Sequence, residues 1–144
     1  MSSWLDILNG SAALLQAVPG APLVQVRKEP ELRDEDVLPI LIVSPAGPEE
    51  IAWEAWVLNT AWRYPVYVFY VTVDDRTQAV DLTTQQELRQ TMRDALYGLT
   101  LAGAAQVYNT DIQSLTPFVV TPRDMTLNVT GFMVEYYTVE QRAA

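Results

Sequence analysis

The sequence contains no cysteine and no histidine. Without cysteine there is no disulfide framework, no thiolate nucleophile and no thiolate-ligated zinc or iron–sulfur cluster. Without histidine the side chain best matched to proton transfer near neutrality is missing, which excludes Ser-His-Asp and Cys-His catalysis and imidazole-ligated metals. Basic residues are scarce as well: 9 Lys+Arg stand against 18 Asp+Glu, a net charge of −9, and Lys28 is the single lysine. The bases are scattered from Arg27 to Arg142, so there is no cationic face of the kind that docks on polyanions by releasing counterions. Any catalysis would have to run on carboxylates, tyrosine, arginine or Lys28. The composition points to no cofactor and no metal.

Long hydrophobic runs are also missing. The apolar stretches fall far short of the ~20 residues that a bilayer-crossing helix needs. Met1-Ser2-Ser3-Trp4-Leu5-Asp6 lacks the basic start of an export signal. No membrane association is expected. With 144 residues, 49% hydrophobic and 19% charged, the chain is long and apolar enough for one domain over 1–144 with its own core, and is not a disordered acidic tail.

Apolar spacing predicts a helix over 3–18, stopped by Pro19-Gly20-Ala21-Pro22, and short strands over 23–28 and 38–43. The segment 29–36 between them holds five acids, Glu29, Glu31, Asp34, Glu35 and Asp36, and reads as a solvated loop extended by its own repulsion. It lacks the glycine turn of a calcium loop. The strongest strand signals are 51–59 and 65–73, with 59–64 as the hairpin connection; Pro65–Val73 is apolar on both parities, as in a strand buried on both faces. Thr84-Gln85-Gln86-Glu87 has capping-box spacing and opens a second helix with a Leu88, Met92, Ala95, Leu96, Leu99 stripe. Arg89, Arg93 and Asp94 lie off that stripe. A strand over 106–112 follows, then a loop over 111–124 with a short extended piece at 118–120. The last strand, 126–139, changes apolar phase across Gly131, as one extra residue at a bulge would make it do. The order α-β-β-β-β-α-β-β is α+β: a mostly antiparallel sheet with an N-terminal helix and a second helix packed on one face.

Candidate chemistry is thin. Asp74-Asp75 are strand neighbours that would point to opposite faces, so they do not make a shared metal site. Glu49, Glu50 and Glu54 cluster without the cleft that two-carboxylate chemistry requires. Ser44-Pro45-Ala46-Gly47-Pro48 lacks the spacing and lysine of a phosphate loop. Trp53, Trp56, Trp62 and Tyr64, with Tyr67 and Tyr70, concentrate aromatics on one hairpin. Core packing, stacking on a sugar or base, and the centre of a protein interface all use such residues.

Several segments together resemble a known family. They are the N-terminal amphipathic helix, Leu38-Pro39-Ile40-Leu41-Ile42-Val43-Ser44-Pro45, the aromatic hairpin 53–73 with Arg63-Tyr64-Pro65-Val66-Tyr67-Val68, the helix Gln85-Gln86-Glu87-Leu88-Arg89-Gln90-Thr91-Met92-Arg93, Val107-Tyr108-Asn109, and the closing Val134-Glu135-Tyr136-Tyr137-Thr138-Val139-Glu140-Gln141-Arg142. In element order and pattern, over nearly the whole chain, this is similar to the small tail-terminator (tail-completion) proteins of tailed bacteriophages. The resemblance implies a non-enzymatic virion protein of the tail or neck, assembled in the host cytoplasm. It implies a ring, commonly a hexamer, that caps the tail tube, receives the head-side connector and lets DNA pass through its centre without sticking to an acidic lumen. On that reading Trp53, Trp56, Trp62, Tyr64, Asp74, Asp75, Arg76 and Phe118 are candidate subunit or tube contacts. Glu29, Glu31, Asp34, Glu35 and Asp36 are candidates for the lumen or a docking loop. A head-closure or connector-adaptor protein, an unrelated α+β ligand-binding module and a carboxylate enzyme are the competing readings.

Overall fold

The computed structural model describes residues 3–33, 35–54, 59–73, 79–98, 107–120 and 127–141. Helix α1 spans Ser3–Gln16, followed by strands β1 (Leu23–Val26), β2 (Ile40–Pro45), β3 (Glu50–Glu54) and β4 (Asn59–Val73). Helix α2 spans Ala79–Leu96, and strands β5 (Val107–Val120) and β6 (Leu127–Gln141) follow. The α+β order expected from the sequence is the one observed. Gly20, at φ 78°, takes the left-handed turn after α1 that other residues resist.

The six strands form one mixed sheet in the order β1-β2-β4-β6-β5, with β3 paired to the first part of β4. All pairings are antiparallel except β1 with β2, which are parallel. A parallel pair cannot be joined by a tight turn. The acidic segment 27–39 is therefore the crossover between β1 and β2; its described residues are irregular and Glu29, Glu31 and Glu35 are exposed, as a solvated loop requires, but it is not solvated throughout. Its Leu32 and Leu38 pack against Ile40, Ile42, Val71, Leu127 and Val129.

Strand parity divides the sheet into two faces. Tyr64, Val66, Val68 and Tyr70 of β4 join Leu41, Val43, Phe132, Val134 and Tyr136 on one face, where Ile7, Leu8 and Leu15 of α1 and Met92 and Leu96 of α2 cover them. Both helices thus lie on one face. Among the described residues the opposite face is covered at one end, by the crossover and its small second cluster.

This arrangement corrects four expectations. β4 starts at Asn59, so 59–64 is strand and not a connection; it is held by β3 on one side and β6 on the other. Pro65–Val73 is buried on both faces only toward its end: Val66, Val68 and Tyr70 are buried on the helix side and Val71 on the other, while Tyr67 and Phe69 are partly buried. β5 runs through 111–120, because an outermost strand tolerates Pro117 where the register with β6 shifts between Leu115 and Phe118. β6 pairs β4 without a break across Gly131, so β6 has no bulge there. Its phase change records a change of covered face: Leu127 and Val129 belong to the crossover cluster, Phe132, Val134 and Tyr136 to the helix side. Helix α2 also begins five residues ahead of its capping-box signal at Thr84, since propagation from a formed turn overrides a local cap preference.

Candidate assembly surface

Each predicted contact residue has a definite place. Tyr64 is 5% exposed; its ring meets Trp4 edge-on at 4.9 Å and its hydroxyl donates to Glu140 Oε2 at 2.6 Å. Thr138 Oγ1 donates to the same carboxylate at 3.0 Å, and Trp4 Nε1 donates to Glu49 Oε2 at 2.6 Å. Trp62 is half-buried against the helix-side core. Tyr64 therefore fastens α1 to the sheet through Trp4, and Trp62 packs on the same side. Trp53 and Phe118 are placed by their backbones, opposite Ala61 and Val129. Trp56, Asp74, Asp75, Arg76 and Asp34 lie outside the described residues.

The acidic group also divides. Glu29, Glu31 and Glu35 are exposed, but the Asp36 side chain is 7% exposed and forms a forked pair with Arg27. Arg27 donates further to the Glu31 carbonyl at 2.6 Å, and the Arg33 amide donates to Asp36 Oδ2 at 2.7 Å. The Arg27 hydrogen bond, despite the cost of burial, holds the Asp36 carboxyl below its ordinary range; the same hydrogen bond raises Arg27. Asp36 is a structural pin of the crossover.

Between the crossover end and the β3 end, the helix-free face carries Pro65 and Tyr67 of β4, Met133, Glu135 and Tyr137 of β6, and the exposed Asn109, Asp111 and Gln113 of β5, with Phe69 at its border packed against the crossover cluster. The Tyr67 and Phe69 rings lie 5.2 Å apart, and Tyr108 and Tyr137 lie 6.3 Å apart. The polar groups here are tied together. Arg63 pairs with Glu50 and lies 3.7 Å from Glu135, and Tyr137 donates to Glu135 Oε2 at 2.8 Å. The Tyr137 hydroxyl is pushed up to about 12, first by burial and then by Glu135, so it remains a neutral donor at neutral pH. Among the described residues no helix covers this surface.

Tyr67 was visible as one of the hairpin aromatics, but its ring contact with Phe69 and its place opposite Met133 were not. The available signal was parity: β-branched residues at 66 and 68 against aromatics at 67 and 69. Only the helix positions tell which parity is outward.

On the helix side an open hollow of about 390 Å³ lies between α2 and β6, lined by Gln86, Glu87, Arg89, Gln90, Arg93 and Phe132. The Arg89 guanidinium stands 5.0 Å above the Phe132 ring and donates to Thr130 Oγ1 and the Leu115 carbonyl. This role was not legible while Arg89 was an off-stripe charge. Among the described residues no group of three or more acidic side chains is disposed to hold a metal ion, and no helix is long and apolar enough to cross a membrane. Comparison with protein-family models finds no match, and comparison with curated proteins finds none either.

Proposed function

We propose that this chain is a structural virion protein that assembles with copies of itself into a ring closing the tail tube, with the head-side connector as its other partner. The observation that carries the reading is the helix-free sheet face around Tyr67, Phe69, Met133 and Tyr137. These side chains are only partly buried in one subunit, and aromatic residues and methionine are enriched at the centres of protein interfaces. The element order shared with tail-terminator proteins supports the same reading, as does a net charge of −9 that would keep DNA from adhering to the ring's lumen. On this reading the chain acts by complementary shape and makes no bonds, and its place is the tail or neck of the virion.

The test is to mix the purified protein with tail tubes that lack a terminator and to image the tube ends by electron microscopy. The expected result is a discrete ring on one end of each tube. A protein that neither self-associates nor binds tubes, or that turns over a small molecule, overturns the proposal.

A further inference from the structure

We propose that the crossover is seated on β2 through an enclosed water molecule, held between Arg27 Nε and the Ser44 hydroxyl. The inference is independent of the assembly reading. Arg27 Nε and Ser44 Oγ are both buried, and neither has a hydrogen-bond partner among the described residues. Ser44 has no exposed surface, and the Arg27 side chain is 6% exposed. Buried polar side-chain atoms are nearly always hydrogen-bonded, to protein or to ordered water, so two such atoms in one place ask for a common partner.

The sheet register brings the two residues side by side. β1 and β2 run parallel with Val26 beside Val43, and the Arg27 amide continues the ladder by donating to the Val43 carbonyl at 2.8 Å. Arg27 therefore lies beside Ser44. Val24 and Val43 pack on the helix-side core, so strand alternation turns Arg27 and Ser44 to the opposite face together. The Nη1 and Nη2 groups of Arg27 are engaged by Asp36 and the Glu31 carbonyl, which leaves Nε to face another partner.

The chemistry selects water. Nε–H can only donate, whereas the serine hydroxyl can donate or accept. A water accepts from Nε and shares a second hydrogen bond with Ser44, which satisfies both atoms at once; buried waters have about two to four such partners. An anion is a poorer match. Asp36 already balances the Arg27 charge, Ser44 is neutral, and Lys28 and Arg33 of the same segment are exposed. An open hollow of about 220 Å³ bounded by Arg27, Lys28, Glu29, Glu31 and Arg33 gives solvent a way to the Arg27 side chain. Held there, the water extends the Arg27–Asp36 pin to β2.

Crystal structures of wild type and Ser44→Ala, with oxygen-17 relaxation dispersion on both proteins in solution, test this. Wild type should show an ordered water within about 3.2 Å of both atoms. Ser44→Ala removes an anchor of that water and should have fewer waters of long residence than wild type. The wild-type structure tests the site even if Ser44→Ala fails to fold. A direct Arg27–Ser44 hydrogen bond, other protein partners for both atoms, or an anion between them overturns the proposal. So does an equal number of long-lived waters in the two proteins.

Discussion

Gly131 and Tyr136 show how single positions on β6 set what the sheet can do. A Cβ at Gly131 would lie 2.3 Å from the Val68 carbonyl oxygen and 2.9 Å from Phe69 Cδ1, closer than atoms can approach. The bare backbone lets β6 cross close to β4 where the covered face changes. Gly131→Ala should cost about 2 kcal/mol or more through displacement of the paired strand, read as a lower urea midpoint. Tyr136 is fully buried; its hydroxyl donates to the Leu96 carbonyl at 3.2 Å and accepts from Ser11 Oγ at 3.1 Å, joining both helices to the sheet. Burial pushes this hydroxyl up to about 12 and keeps it a donor. Tyr136→Phe leaves the Leu96 carbonyl without this donor and should cost about 1–3 kcal/mol, with a lower thermal midpoint and unchanged far-ultraviolet dichroism.

Among the elements, the crossover departs furthest from its sequence reading. Five acids in eight residues argue for repulsion and solvation, and that holds for Glu29, Glu31 and Glu35. Asp36 behaves differently because the crossover folds back on Arg27, which follows β1, and buries the pair. Removing one partner should cost about 2–3 kcal/mol, between an exposed pair and a deeply buried one. Asp36 has a folded pKa below its ordinary 3.8. Its contribution is therefore complete above the unfolded value and is lost as pH falls through the folded one. Wild type should lose stability from about pH 5 downward, and Asp36→Asn should be less stable at pH 7 with a flatter profile over that window. Equal slopes for the two proteins in chemical denaturation would refute the role given to Asp36. β5 departs for a related reason: Pro117 signals a loop in the sequence, but it falls where the outermost strand's register with β6 shifts, a position that tolerates it.

At the scale of the whole molecule, one sheet carries two unlike surfaces, and the helices decide which is which. The helix side holds the main core; the other side keeps Tyr67, Met133 and Tyr137 partly buried beside the crossover cluster. Tyr67→Asp should cost about 1 kcal/mol of stability yet abolish self-association or tube binding, measured by light scattering and by co-sedimentation with tubes. Normal assembly by a folded Tyr67→Asp protein would remove this face from the interface. Arg63→Ala, on the same face, breaks exposed pairs with Glu50 and Glu135 and should move stability by less than about 1 kcal/mol.

From the amino-acid sequence alone came the element order, the helix stripes, the stop at Pro19-Gly20 and the absence of thiol and imidazole chemistry. Those follow from local spacing and composition, which need no partner strand to express themselves. The tertiary structure decided that β1 and β2 run parallel, that Tyr64 turns inward and Tyr67 outward, that Arg89 stacks on Phe132, and that Asp36 is buried. Each of these depends on residues distant in the chain: a strand's pattern says that its two faces differ but not which one the helices will cover, and a charge's environment is set by whichever element comes to lie against it.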